Sequence, residues 1–256
     1  MSITMTLPNE SEKPLVMDGA HVCNLRTKFT YPEEAVDRIF TNAATILEHC
    51  PGEGSSPCEP SVGIMIGKVQ SGKTSSFIGL AALAMDNGYP LIIVLGGTKK
   101  NLVDQNRDRI DQYFNNSRDV HVMAIGGEHD NSSVLEEGFI KDLINNGEKV
   151  VLVVLKKSQR MEKVSDMIRT EVGLEPVLII DDEGDEATPN GKIFQGKASS
   201  TYISAIKMMN VPKRCGFVSV TATPQANYLI RSDDSLSPKF GILIQPGEGY
   251  CGLSVF

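Results

Sequence analysis

One stretch of the sequence, Val62-Gly-Ile-Met-Ile-Gly-Lys-Val-Gln-Ser-Gly-Lys-Thr74, constrains the fold more than any other. Its apolar beginning predicts a buried strand, and the segment that follows it, Ser75–Met85, predicts a helix. The turn between them has the form Gly-x-x-x-x-Gly-Lys-Thr. This is the phosphate-binding P-loop pattern in the context that it requires, a glycine-rich loop between a strand and a helix.

The spacing of the loop residues has a physical reason. Gly67 and Gly72 allow backbone angles that a side chain would forbid, so successive N–H groups can turn inward around a phosphate. The helix begins where N–H groups lack partners, and its positive dipole end favours an anion. Lys73 would supply a mobile charge for the β- and γ-phosphates of ATP, and the Thr74 hydroxyl would be a ligand for Mg²⁺. The predicted cofactor-binding residues of this segment are Gly67, Gln70, Ser71, Gly72, Lys73, Thr74 and Ser75.

Further apolar runs follow the P-loop at intervals. They are continuous instead of alternating, and helical patterns separate most of them, which predicts a parallel sheet covered by helices on both faces. In such α/β folds ligands bind beyond the carboxyl ends of the strands. The predicted strands are residues 91–95, 120–125, 149–155, 177–180 and 215–220, and the predicted helices are residues 101–114, 133–145 and about 158–170.

The composition divides the chain into three parts. Residues 1 to about 32 carry prolines without a clear period and predict an irregular arm. A helix then opens at Pro32 and ends near His49, and Pro51–Pro60 is a linker by composition. We therefore expect an N-terminal arm, helix and linker over residues 1–60, the P-loop domain over 61–230, and a C-terminal extension over 231–256. The apolar stripe of the helix is Ala35, Ile39, Ala43, Ile46 and Leu47.

An acidic segment follows the strand predicted at 177–180. Its sequence is Asp181-Asp182-Glu183-Gly184-Asp185. P-loop hydrolases need a strand-end aspartate to hold Mg²⁺ and a residue that orients the attacking water. Either Asp181 or Asp182 can be the metal carboxylate. We favour Asp182, because this register keeps Glu183 directly after it as the catalytic base.

A third motif, Thr221-Ala-Thr-Pro224, ends the strand predicted at 215–220. Small hydroxyl side chains at a strand end can hydrogen-bond the acidic loop and sense the γ-phosphate, so Thr221 and Thr223 join the predicted nucleotide contacts. A threonine-rich turn closed by proline would explain this segment if it stood alone. Its position after the P-loop and the acidic strand end favours the functional interpretation.

The order of these three motifs resembles the first RecA-like lobe of superfamily 2 helicases and related DNA translocases. A closer likeness, over about residues 62–256, is to the endonuclease Z-one domain family. Gly184 departs from that family, which usually has alanine there. The segments that carry the likeness are Gly67–Leu80, Gly88–Gly97 with Asn101, Leu102 and Gln105, Leu178–Asp185, Thr221–Asn227 and Gly249–Gly252.

The resemblance implies a RecA-like three-layer sandwich with a mostly parallel central sheet, and an ATPase module of a bacterial restriction or antiphage defence system. It also implies a second RecA-like lobe or partner subunit, so that this chain alone would bind nucleotide but turn it over slowly. DNA would cross the loops at Thr98–Lys100 and Lys156–Ser158, with Arg107, Arg109 and Arg160 nearby.

Composition limits other functions. The net charge of −7 argues against DNA binding through bulk charge. No apolar run reaches the roughly 18 residues that a membrane crossing needs, and the N-terminus lacks the pattern of a secretory signal, so a cytoplasmic protein is expected. The five cysteines and four histidines have no zinc spacing. The one dense acidic cluster is already assigned to the ATPase, so these residues do not support a nuclease.

Two alternatives stay open. The chain could be an interaction scaffold that binds ATP as a structural ligand and docks a partner through its N-terminal helix. It could also be a P-loop kinase or GTPase, although neither needs Thr-Ala-Thr-Pro and no Asn-Lys-x-Asp guanine motif is present.

Overall fold

Each predicted strand forms in the computed structural model, which describes residues 14–67, 72–136, 138–185, 199–223 and 234–245. The strands within these ranges are β1 (Ser61–Gly67), β2 (Leu91–Leu95), β3 (Val120–Ile125), β4 (Lys149–Val154), β5 (Val177–Asp182), β6 (Cys215–Thr221) and β7 (Phe240–Ile244). The helices are α1 (Ala20–Lys28), α2 (Glu33–Leu47), α3 (Lys73–Asp86), α4 (Lys100–Phe114), α5 (Phe139–Asn145), α6 (Ser158–Glu171) and α7 (Ser200–Met209).

The seven strands form one parallel sheet in the order β3-β4-β2-β5-β6-β1-β7. Strand β6 therefore lies between β1 and β5. Its register pairs Thr221 with Ile66 of β1 and Val220 with Asp182 of β5. The P-loop, the acidic segment and Thr-Ala-Thr-Pro thus all begin at the same edge of the sheet, where ligands of parallel α/β folds bind.

Alternate residues of each strand point to opposite faces of the sheet. In β5, Leu178 and Ile180 belong to the core under α1, α2, α3 and α4, which we call the α3 face. Val177 and Ile179 belong to the core under α5, α6 and α7, the α6 face. Helices on both faces explain why the central strands are apolar on both sides. They confirm the predicted α/β fold with three layers.

Helix α3 is buried on nearly every side. All its residues from Ser75 to Met85 are buried, because the sheet lies beneath it and α1 and α2 cover its outer surface. Helix α2 forms where the sequence predicts it. Its predicted stripe residues pack into this core, except Ala35, which is only partly buried, and Val36 and Phe40 are buried beside them.

The prediction of an irregular N-terminal arm is wrong for residues 20–28, which form α1. The helix is short, and Gly19 at its N-cap provides no side-chain cap, so its local sequence gives little signal. A distant residue caps it instead. The carboxylate of Asp86, at the end of α3, accepts hydrogen bonds from the backbone N–H groups of His21 at 3.1 Å and Val22 at 2.9 Å.

Three more differences separate the prediction from the structure. Helix α7 and strand β7 carried no recognised pattern, and β7 places part of the predicted C-terminal extension beside β1 in the main sheet. The helix predicted over 133–145 is divided into a 3₁₀ turn (Ser132–Leu135) and α5.

Within the described ranges, no helix combines the length and apolar character that a membrane crossing requires.

The contacts of His21 give α1 a pH-dependent attachment. Its Nδ1 lies 2.7 Å from Asp86 and its Nε2 lies 3.1 Å from Asp119. Burial disfavours the charged imidazole, but the hydrogen bonds and charges of the two carboxylates outweigh it and raise the pKa of His21 above 6.5. Burial also opposes ionisation of Asp86, yet hydrogen bonds from His21 and Val22 lower its pKa below 3.8.

We therefore expect His21→Gln to destabilise the protein more at mildly acidic pH than at alkaline pH. A raised histidine pKa stabilises the folded state fully below 6.5, and this is lost as the pH rises through the folded-state pKa. The contribution of Asp86 is present above 3.8 and is lost only at lower pH. Near pH 5.5 the substitution should cost about 2 kcal/mol, as for hydrogen bonds to charged groups. Denaturant unfolding at pH 5.5 and 9 measures this, and an equal cost at both would contradict it.

Candidate functional site

The P-loop connects β1 to α3, as the sequence predicts. Gly72 has φ +81° and caps the helix, and a side chain there would meet nothing within 4 Å. The ammonium of Lys73 donates a hydrogen bond to the carbonyl of Gly67 at 3.3 Å, so it reaches across the ends of the loop. Thr74 is partly exposed at the first turn of α3. The predicted contacts Gln70 and Ser71 lie outside the described residues.

Aromatic residues surround the first turn of α3. The hydroxyl of Tyr31 lies 2.9 Å from Ser75 Oγ. Phe29 stands between Tyr31 and Tyr113, with ring centroids 5.6 and 5.4 Å away. Ser75, a predicted nucleotide contact, is buried against this cluster. The sequence did not reveal this aromatic cluster, because Phe29 and Tyr31 precede α2 whereas Tyr113 belongs to α4, far along the chain.

The two aspartates at the end of β5 point to opposite faces of the sheet. Asp182 follows the alternation of Ile180 and lies on the α3 face, where Asn106 of α4 donates to its carboxylate at 3.1 Å. Burial raises the pKa of Asp182 to about 6, the charge of Glu183 adds to this, and Lys156 and Asn106 oppose it. Asp181 points to the α6 face, and its side chain is 0% exposed. Only Asp182 therefore faces the side of the sheet that carries the P-loop helix.

Glu183 begins a tight turn. Its φ is +55°, which is uncommon for a residue with a side chain, and its side chain is exposed at the binding edge. The next residue, Gly184, donates its N–H to the carbonyl of Val220 at 3.0 Å. A methyl group on Gly184 would lie 2.9 Å from the Cβ of Ser219. Ser219 would therefore have to shift to accommodate an alanine at position 184.

The Thr-Ala-Thr-Pro segment is bonded to the acidic turn. Thr221 donates to one oxygen of Asp185 at 2.6 Å, and Thr223 donates to the other. Burial would raise the pKa of Asp185, but these two hydrogen bonds lower it below its ordinary value. The expectation that the hydroxyls bond the acidic loop is confirmed. Thr221 is fully buried, and its hydroxyl joins the end of β6 to the acidic turn that follows β5.

The basic residues expected to contact DNA divide into two groups. Lys99, Lys100, Lys157 and Arg109 are exposed. Lys156 is buried and ion-paired with Asp181, so its assignment to the DNA surface is wrong. Arg160 is held by Asp130 at 3.1 Å and by Ser132 at 2.9 Å. Arg107 lies 3.0 Å from Asp108.

The described part of the chain has no group of three or more histidine, cysteine or acidic side chains arranged to hold a metal by themselves. A metal at the binding edge would need phosphate oxygens in addition to Asp182 and Thr74. This is the usual form of a Mg²⁺ site, in which the protein supplies one or two ligands and the substrate phosphates supply others. The carboxylate and hydroxyl present here fit that ion.

No protein-family model matches the chain, and no curated protein matches it. Solved structures match it in fold. The DNA-bound DUF1998 helicase MrfA is similar with a TM-score of 0.56 and 11% identity, over 94% of this chain and 32% of that one. The helicase domain of Pyrococcus furiosus Hef has a TM-score of 0.47 and 16% identity, over 72% and 35% of the two chains. S. cerevisiae Dbp5 bound to RNA and ADP BeF3 has a TM-score of 0.46 and 15% identity, over 86% and 51%.

This chain spans between 32% and 51% of the length of the three proteins. The likeness to MrfA concerns the fold alone, and together with the parallel sheet it identifies a RecA-like α/β fold.

Proposed function

We propose that this chain is the ATP-binding and ATP-hydrolysing lobe of a helicase- or translocase-like protein that processes DNA. The observation that carries the proposal is the sheet order β5-β6-β1, which brings the P-loop, the acidic turn and Thr-Ala-Thr-Pro to adjacent strand ends. A site that presents helix N–H groups, a lysine and a partly buried carboxylate suits a nucleoside triphosphate with its divalent cation.

Each residue has a proposed role. Lys73 neutralises the β- and γ-phosphates, and Thr74 and Asp182 hold Mg²⁺, which neutralises charge on the phosphates when it is bound. Glu183, which is exposed at the binding edge, orients the attacking water and accepts its proton. Thr221 and Thr223 connect the acidic turn to β6, so that movement at the γ-phosphate passes to the neighbouring strand end.

The wider setting rests on resemblance and surface charge. The Z-one pattern supports a place in a bacterial restriction or antiphage defence system, with any nuclease outside the described residues. Lys99, Lys100, Lys157 and Arg109 are the exposed cations that support contact with a DNA backbone. A second RecA-like lobe or partner subunit would complete the nucleotide site.

The structure weakens the scaffold alternative in one respect. The apolar stripe of α2, which that alternative would use to dock a partner, is buried against α3. It is therefore part of the core of this lobe and is not available as a docking face.

Calorimetric titration of Mg·ATP tests the proposal. The parent chain should bind ATP, and Lys73→Ala should weaken binding by about 10- to 100-fold, as expected for the loss of a charge-assisted contact. Lys157→Ala is the matched control, because Lys157 is an exposed lysine at the end of another strand. Equal affinity in the parent and in Lys73→Ala would contradict the P-loop assignment. Competition by GTP as strong as that by ATP would favour the GTPase alternative.

A further inference from the structure

We propose that Lys156 is the positioning residue that holds Glu183 in place for hydrolysis, an inference that rests on the proposed ATPase function. Sequence reasoning assigned Lys156 to the DNA surface. The structure instead places it two residues after β4, where it is buried against Asp181 on the face of the sheet opposite α3.

Among the described residues, the ammonium of Lys156 has three oxygen atoms of the acidic segment within 3 Å. It lies 2.8 Å from Asp181 Oδ1, 2.6 Å from the carbonyl oxygen of Asp182 and 2.9 Å from that of Glu183. The contact with Asp181 is an ion pair, and the contacts with the two carbonyl oxygens are hydrogen bonds that the ammonium donates. One side chain thus contacts three consecutive residues, including both of those proposed to act on Mg²⁺ and water.

The backbone at this point needs such support. Glu183 has φ +55°, a conformation that costs free energy for a residue with a side chain and persists where surrounding contacts impose it. Lys156 donates hydrogen bonds to the carbonyl of Asp182, which precedes Glu183, and to the carbonyl of Glu183 itself. The hydrogen bond from Gly184 N–H to Val220 fixes the following peptide on β6. The exposed Glu183 side chain is therefore carried by a backbone that is held on two sides.

The contacts of Lys156 exceed what a structural ion pair with Asp181 would require. Both side chains are 0% exposed, and buried ion pairs are often replaceable by apolar residues with little loss of stability. Asp181 alone would be enough to neutralise a buried lysine. The two additional carbonyl acceptors orient the acidic turn, and an apolar replacement cannot reproduce them.

The double variant Lys156→Met/Asp181→Leu tests the inference. It removes both buried charges together, so the fold is retained, but it leaves the carbonyls of Asp182 and Glu183 without the lysine. We expect the kcat for ATP to fall by about 10- to 100-fold while KM and the Kd for Mg·ATP stay within about twofold, because a small displacement of a reacting group affects the transition state more than binding. Lys163→Met is the control for the loss of a lysine, because Lys163 is exposed on α6 and has no proposed role in the site.

Hydrogen exchange gives a readout that does not depend on turnover. In the double variant, the amide of Gly184 should exchange about tenfold faster or more, while the amides of β2 stay protected. Unchanged exchange at Gly184 would overturn the positioning role, and so would faster exchange with an unchanged kcat. If the parent hydrolyses ATP no faster than Glu183→Gln does, the proposed function fails and the catalytic part of this inference fails with it. The exchange measurement would still decide whether Lys156 holds the turn.

Discussion

Replacing Glu183 with glutamine should reduce ATP hydrolysis by about 100-fold or more and leave the affinity for Mg·ATP within about twofold. Glutamine has the shape of glutamate but cannot accept the proton of the attacking water. Glu183 is exposed at the edge where β1, β5 and β6 end, whereas Asp182 is partly buried beside Asn106. The substitution therefore removes the base and leaves the proposed phosphate and metal contacts in place.

Phosphate release at saturating Mg·ATP, followed over hours because a single lobe is expected to turn over slowly, measures this effect. Glu162→Gln is a suitable control, since Glu162 is an exposed glutamate on α6. Unchanged release in Glu183→Gln would remove Glu183 from the mechanism. Binding of ATP by a parent chain that releases no phosphate above the variant would favour the scaffold alternative.

The single substitution Lys156→Met should lower the free energy of unfolding by about 3–5 kcal/mol, the usual cost of leaving one member of a buried ion pair without its partner. Asp181 is fully buried, and no hydrogen-bond donor for its carboxylate exists among the described residues apart from the nearby ammonium. Without Lys156 it must remain as an uncompensated charge or take up a proton. Both outcomes destabilise the folded state at neutral pH.

The double variant Lys156→Met/Asp181→Leu should recover most of this loss, because it leaves no unpaired buried charge. Urea unfolding of the parent, the single variant and the double variant at pH 7 measures the difference. If the double variant is no more stable than the single one, the ion pair is not the source of the effect. Recovered stability together with a low kcat separates the structural role of Lys156 from its positioning role.

The sequence by itself determined that the chain forms a parallel sheet covered by helices and that its three motifs lie at one edge of that sheet, but not the order of the strands. Continuous apolar runs such as Leu91–Leu95 can be satisfied only by burial on both faces, and the structure forms strands there. The glycine spacing between β1 and α3 is a local requirement of the backbone, so the P-loop can be recognised from the sequence without knowledge of the fold. That the hydroxyl groups of Thr221 and Thr223 bond the acidic loop was predicted, because strand ends of a parallel sheet meet at one edge, whereas the structure identified Asp185 as their acceptor. The catalytic and metal roles of Lys73, Thr74, Asp182 and Glu183 stay predictions.

Only the tertiary structure decided features that depend on residues far apart in the chain. Helix α1 begins where Asp86 caps it, 65 positions after His21, and strand β7 is defined by its pairing with β1. Asp181 and Asp182 are equivalent in the sequence, and the two faces of β5 distinguish them. The environment of Lys156 could not be read from its neighbours, since a lysine after a strand is usually solvated. Here β4 and β5 are separated in the sheet by β2, and the lysine spans that distance to bond the acidic turn. Local patterns specify local backbone, whereas charge pairing and capping across the sheet depend on which elements the fold brings together.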